Sequence, residues 1–293
     1  MTVCTPTDPE LAMNAAPALT PADRFRLAPM ASPADFFAPP VGIDILTLPH
    51  QINAQYQVGF AVSPMAVDRA LRLRYAVFNE ELGEGLMASR TTGLDRDEFD
   101  DQMRHLVLFD AKTHEVVGTY RLQTATHGLA GLGLYCANEY DLSPIMHLVP
   151  QLVECGRACV LKGHRSYSTV MMLWKGLAVF MDLTNCRYLF GCCSLTTIDP
   201  DDGWRAMRAL RKMGVLEKDL MAPMPATSCG GPARETSGEV HGTVKIPKLF
   251  GAYLSLGSRV ISFPAIDREF GTVDFLIMLD KTRVNFSSLL IRA

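Results

Sequence analysis

Two ionisable residues, Glu154 and Arg157, stand inside an otherwise apolar stretch, "LVECGRACVL" (residues 152–161). An unpaired charge taken out of water costs several kcal/mol. The two are therefore either an internal ion pair or part of a working site at the end of a strand. A carboxylate held there can take a proton from an attacking nucleophile. Side chains alternate along a strand, so Glu154 and Arg157 should face opposite ways unless the strand carries a bulge. The stretch runs directly into "LKGHRSYS", where a strand ends and a helix begins. Free N–H groups at a helix start attract anions, and Lys162 and Arg165 add positive charge. The alternative is a solvated turn.

Other residues suggest chemistry less directly. Asp95, Asp97, Glu98, Asp100 and Asp101 form an acidic run suited to a cationic substrate or to simple solvation. Arg205, Arg208 and Lys212 recur at helical spacing, a basic face that suits an acidic partner or plain exposure. His105 and Asp110 have an H-x4-D spacing that does acid–base work elsewhere. Here the odd offset on a probable strand sends them to opposite faces, and they are read as strand termini. Gly128, Gly131 and Gly133 do not spell a nucleotide-binding loop. The eight cysteines fit a reducing cytoplasm. Cys155 and Cys159 have no second pair to complete a zinc set, so no metal is expected.

These residues need elements to hold them. The chain has 293 residues, 48% of them hydrophobic, enough for one large core. A net charge of −3 argues against a nucleic-acid partner. The start shows no leader pattern, its first positive residue being Arg24. The most apolar window, "VMMLWKGLAVFMDL", is interrupted by Lys175 and Asp182 and reads as a buried helix. Residues 1–54 are expected to be a loose Pro- and Ala-rich arm, with nine of the eighteen prolines in the first fifty positions. An α/β domain is expected over 55–293, with a mobile loop at 222–243. "SPMAVDRALRLRYAVFNEEL" carries a Ser N-cap, a first-turn proline and helical spacing. "RHLVLFDA" and "EVVGTYRLQT" read as a hairpin. The later pattern of strand, long helix, strand gives a β-α-β crossover.

In order along the chain stand Arg74-x-x-x-Phe78, Asp97-x-x-Asp100, Arg121 and Glu154-x-x-Arg157. This series resembles the acyl-homoserine-lactone synthases, a branch of the GNAT acyltransferases. The tryptophan of that family's first loop has no match, which argues against a lactone product. A closer resemblance spans about residues 60–285. "YRLQT", "EYDLSP", "ECGRACV", "MMLWKGLA", "LFGCCSL" and "FPAIDREFGTVDFLIMLD" are similar to the bacterial L-ornithine N-alpha-acyltransferases, whose relatives are often labelled haemolysin-like.

The resemblance implies a GNAT fold, a mixed central sheet splayed at its central strand and flanked by helices. It implies transfer of a 3-hydroxy fatty acyl group from acyl carrier protein to the α-amine of L-ornithine. No bound cofactor is expected; the acyl-phosphopantetheine thioester is a co-substrate. A bulge near residue 157 would let Glu154 and Arg157 serve one site and free a backbone N–H near Cys159 or Val160 for the thioester oxyanion. Glu154 is the expected base, with His164 second. Asp97 and Asp100 are expected to hold the cationic ends of ornithine, and Arg121 to hold its carboxylate or brace the loop, with Arg74 beside them; Arg157 is expected to pair with an acid or orient the thioester. Lys162, His164 and Arg165 would hold the phosphopantetheine phosphate, and Arg205 and Arg208 would dock the carrier protein. The coenzyme A loop of GNAT proteins, [QR]-x-x-G-x-[GA], is degraded here: Ser168 and Val170 replace its glycines, which favours a carrier-protein donor. A covalent route through Cys155 or Cys159 lacks an evident base. Glycine or another amine is the alternative acceptor, and a lipid-interacting lytic protein the non-enzyme alternative. A cytoplasmic location follows, with transient contact at the inner membrane surface.

Overall fold

The computed structural model describes residues 44–52, 55–217, 224–225, 229 and 242–284. Its centre is a nine-stranded mixed sheet. The strands are β1 (Ile45–Ile52), β2 (Tyr56–Ala61), β3 (Arg104–Asp110), β4 (Val116–Thr124), β6 (Leu152–Val160), β7 (Tyr188–Leu195), β9 (Arg259–Val260), β10 (Ala265–Asp267) and β11 (Thr272–Asp280). They run in the order β1-β2-β3-β4-β6-β7-β11-β10, with β9 also on β11. A two-stranded piece pairs β5 (Tyr140–Asp141) with β8 (Met224–Pro225). Every ladder of the large sheet is antiparallel except β6 with β7. That parallel pair is the expected β-α-β crossover, closed by a long helix between the two strands.

The helices are α1 (Pro64–Tyr75), the single turn α2 (Ser89–Thr92), α3 (Ala125–Leu129), α4 (Tyr167–Leu183), α5 (Pro200–Lys212) and α6 (Lys248–Ser255). The α1 start is as the sequence predicts: the Ser63 hydroxyl accepts from Ala66 N at 3.1 Å, and Pro64 occupies the first turn. A wider turn, Ala76–Leu82, continues it to Gly83, whose φ of 71° ends the helix. Ser166 and Thr169 form a capping box on α4. On one face of the sheet α4, α5 and α6 bury Leu106, Tyr120, Val153, Leu189, Cys193 and Phe275. On the other, α1 covers Val107 and Phe109, and the 125–151 segment covers Phe190 and Leu276.

A strand stands ahead of Gln55, inside the stretch expected to be a loose arm. β1 is a full edge strand on β2, with Ile45, Leu46 and Leu48 buried. The remainder of the expected arm, residues 1–43 and 53–54, lies outside the described residues. So does most of the expected 222–243 loop, apart from β8, Cys229 and Gly242. Among the described residues no helix is long and apolar enough to cross a membrane.

Candidate active site

The acidic run and the three sequence-selected arginines meet in one lattice. Arg74, fully buried on α1, donates from Nε to Asp95 at 2.7 Å and from both terminal nitrogens to Asp100 at 2.6 and 3.2 Å. Arg121 on β4 donates to Asp100 at 3.0 Å and also bonds Asp97. Arg157 on β6 donates to Asp97 at 3.1 Å, and its Nε faces Asp95 at 3.4 Å. Asp97 caps the turn Glu98–Asp101, and Asp100 in return accepts from Asp97 N at 2.8 Å. Three guanidinium groups thus neutralise three carboxylates. Burial alone would raise Asp100, but the charges of Arg74 and Arg121 outweigh it and hold the acid below the ordinary carboxylate range. His105 sits beneath, its Nε2–H donating to the Asp100 carbonyl at 3.0 Å. Burial lowers its pKa to about 4, so the ring is neutral at pH 7. Asp110, at the far end of β3, caps a surface turn; the H-x4-D residues are indeed strand termini.

β6 carries the bulge. Its register against β4 slips by one residue between Thr119↔Cys159 and Arg121↔Gly156, and Arg157 adopts a φ of 51°. The parallel ladder to β7 holds only Leu152↔Tyr188, Val153↔Leu189 and Glu154↔Phe190. Beyond Glu154 the two strands part, leaving a fork with Glu154 at its apex. Gly191 sits just inside. A Cβ there would come within 2.0 Å of the Cys155 carbonyl oxygen, so glycine is required where the strands separate. On the helical face Tyr253 of α6 belongs to the hydrophobic clusters on both sides of this gap. Its hydroxyl meets that of Tyr120 at 2.5 Å, and its ring lies 5.2 Å from Trp174.

Glu154 is 1% exposed. Its Oε2 accepts from Gln123 Nε2 at 2.8 Å and Tyr135 N at 3.1 Å, and its Oε1 from Cys136 N at 2.8 Å. Arg157 does not pair with it. The link between them is Tyr135: its N–H holds Glu154, and its hydroxyl accepts from Arg157 Nη1 at 3.2 Å. The Arg157 guanidinium also lies 4.8 Å from the Tyr135 ring and 4.4 Å from the Phe270 ring. The strand bulge brings Arg157 to Tyr135, which also holds Glu154, and among the described residues Glu154 and Arg157 form no ion pair with each other. Asp97 and Asp100 are committed to arginines. Arg74 is a buried member of the same lattice, and Arg121 spends one terminal nitrogen on Asp97 and Asp100. The cationic substrate pocket read into the acidic run is therefore a self-neutralised scaffold.

Where β6 ends, Lys162 is exposed, His164 bonds the Tyr56 hydroxyl through Nδ1 at 2.9 Å, and Arg165 makes a two-pronged pair with Glu81 at 2.7 Å for each bond. This turn lies beyond the Gly118↔Val160 end of β6, whereas Glu154 pairs with Gln123 at the other end. His164 and Glu154 are not neighbours. Arg205 and Arg208 lie half-buried on α5, with Arg205 bonded to Asp202 at 2.7 Å and to Asp199 at 3.4 Å. Both the 162–165 turn and the start of α5 follow the carboxyl ends of the two parallel strands, the usual ligand side of such a pair. Burial drives the Cys155 thiol above its ordinary range and Cys159 up to about 12. Neither is an activated nucleophile.

Sequence reasoning missed Gln123, Tyr135 and Cys136, which hold Glu154, and Phe270, which stacks on Arg157. No spacing announces a backbone N–H as a ligand. Gln123 had a usable signal, as it sits on the strand face of Arg121.

A family model described as an acetyltransferase (GNAT) domain matches residues 73–175, which contain the lattice and β6. An L-ornithine N(alpha)-acyltransferase of Rhodobacter capsulatus is 30% identical over 248 residues, 77% of this chain and 90% of that protein. One of Brucella abortus is 30% identical over 242 residues, 78% of this chain and 85% of that protein. Among solved structures, an N-acyl amino acid synthase from uncultured soil microbes is 13% identical, covering 81% of this chain and 96% of that one with a TM-score of 0.46. On the curated relatives and the domain match, this chain is an N-acyltransferase with a GNAT domain and belongs to the L-ornithine N(alpha)-acyltransferase family.

Proposed function

We propose that the chain transfers a 3-hydroxy fatty acyl group from acyl carrier protein to the α-amine of L-ornithine, giving lyso-ornithine lipid as the first step of ornithine lipid synthesis. The names of its relatives support the acceptor. The observation that carries the reading is the fork: past Glu154, β6 has no strand partner on its β7 side among the described residues. An acyl-thioester laid in that gap finds backbone groups on β6 for its carbonyl, near Cys159 and Val160. Its phosphate end reaches the turn with Lys162, His164 and Arg165 and the start of α4. Arg205 and Arg208 stand on the helix that follows β7, on the same side, where an acidic carrier protein would rest. That amphiphilic product would leave through transient contact with the inner membrane surface.

The neutral amine nitrogen attacks the thioester carbon, the carbonyl electrons collect on oxygen, and collapse breaks the C–S bond. The nitrogen loses a proton and the departing sulfur gains one. An α-amine titrates near ~8, so one acceptor suffices. We assign it to Glu154, whose Oε1 accepts one backbone N–H, from Cys136, among the described residues; a carboxylate oxygen can accept two donors. General-base assistance is worth on the order of 10²–10⁴ in rate. The Arg74, Arg121 and Arg157 lattice holds Asp97 and the bulge in place around that carboxylate.

The experiment is mass spectrometry of the products formed by the purified chain from 3-hydroxyacyl carrier protein, with ornithine and with glycine. N-acylornithine is expected. Glu154→Gln is expected to stay folded by circular dichroism and to lose at least ~10²-fold in kcat. N-acylglycine alone would overturn the acceptor, and a fully active Glu154→Gln would remove the base.

A further inference from the structure

The lattice uses its three arginines on its own three aspartates, yet acids remain nearby without bases. Glu139 precedes β5, and Asp274 lies on β11, opposite Ser194 of β7. Together with Cys192 they aim one polar atom each at a common point, all within 4.8 Å of one another. Glu139 is 5% exposed and Asp274 3%. Glu139 Oε2 and Asp274 Oδ1 have no hydrogen-bond donor among the described residues, and no arginine or lysine among those residues is ion-paired to either acid. Burial raises both acids, and Asp267 adds to both; the charge and hydrogen bond of Asp274 raise Glu139 further, whereas hydrogen bonds with Ser194, Glu139 and Thr272 offset part of the rise at Asp274. Glu84, bonded to Thr196, is raised by burial and by Asp274. Two buried carboxyls this close cannot both ionise unless a positive charge lies between them.

The place is adjacent to the apex of the fork. Cys136, whose N–H holds Glu154, contacts Cys192 Sγ at 3.7 Å, and Cys192 Sγ lies 3.7 Å from Glu139 Oε1. One short segment, residues 135–139, therefore touches Glu154 at one end and supplies Glu139 at the other. A hard divalent cation would seek about six oxygen ligands, and zinc a deprotonated thiol. Cys192 is instead driven well above its ordinary range by the Cys136 contact and by burial. An ammonium group brings three N–H donors to the two unpartnered oxygens.

We infer that Glu139 and Asp274 form the subsite for the side-chain ammonium of a basic amino-acid acceptor, placed so that the α-amine of the same molecule reaches Glu154. This rests on the ornithine reading above. The two acids set the acceptor preference, because an acceptor without a terminal amine leaves them to share a proton.

The test compares L-ornithine with L-norvaline, which lacks the terminal amine, using 3-hydroxyacyl carrier protein as donor and Glu139→Gln and Asp274→Asn as variants. Wild type should favour ornithine in kcat/KM, and each variant should lower that preference by at least ~10-fold, mainly through KM. Ornithine should raise the Tm of wild type and not of Glu139→Gln, which serves if Asp274→Asn does not fold. Variants that keep the wild-type preference would overturn the subsite and leave ornithine as acceptor. A wild type that prefers norvaline would overturn both readings. Stoichiometric metal in the purified protein, lost in the variants, would overturn the ammonium assignment.

Discussion

At the scale of single residues, the unusual feature is how many charges are buried and that one group of them pairs three arginines with three aspartates. Arg74 bridges Asp95 and Asp100, and its loss would leave Asp100 to Arg121 and Asp95 to the longer Arg157 contact, an undercompensated buried charge that lowers stability by about 3–5 kcal/mol. His105 offers a cleaner measurement. Its Nδ1 is buried with no partner, so protonation would place a second N–H where nothing accepts it. Its folded pKa of about 4 lies below the ordinary 6.5. The stability it contributes is therefore complete above pH 6.5 and is lost as pH falls from 6.5 to about 4, by about 3 kcal/mol. Glu139 and Asp274, raised in the folded state, act in the opposite sense over that range. The check is urea unfolding of wild type beside His105→Gln at pH 7.5, 5.5 and 4.5: the difference between the two should shrink on acidification, and a constant difference would refute a buried neutral imidazole.

At the scale of elements, the sequence carried the strands, the helices and the positions of the lattice residues, because period, caps and charge spacing are local signals. Ser63, the hairpin around residues 110–116 and the crossover through α4 are examples. It carried the bulge only through resemblance, since nothing local marks Arg157 for a positive φ. Who pairs with whom was hidden. The acidic run looked like a ligand pocket because its arginine partners come from three separate elements, 21 to 60 residues away. Glu139 and Asp274, 135 positions apart, gave no joint signal at all. Gly191 was equally silent, although the fork depends on it. Gly191→Ala should press its methyl on the Cys155 carbonyl, displace β6 or β7, and lower stability by about 1–3 kcal/mol with a larger proportional fall in activity. Thermal melts and acyl-transfer assays on the same preparation check this; unchanged activity would show that the fork tolerates closing.

For the whole molecule, the boundary of the folded unit matters most. The proline-rich composition of the first fifty residues concealed β1, because it averages over a stretch whose end, Ile45 to Leu48, is a short run of consecutive buried residues with no period of its own. A chain beginning at Gln55 would lose Ile45, Leu46 and Leu48 from the core and expose β2 as an unprotected edge. Each buried aliphatic side chain is worth about 1.5–3 kcal/mol, so that truncation should be several kcal/mol less stable and prone to self-association. Differential scanning calorimetry and light scattering against a chain beginning at residue 41 test it, and equal Tm values would make β1 dispensable.

Tyr253 has a consequence of its own. It leans in from α6 with its hydroxyl on Tyr120 and its ring beside Trp174, wedged where β6 and β7 diverge. On the proposed reading, a hydrocarbon entering there would nudge an aromatic cork aside rather than unzip any ladder. How deep a chain could sink, and so which tail lengths would be accepted, would then turn on the swing of one phenol.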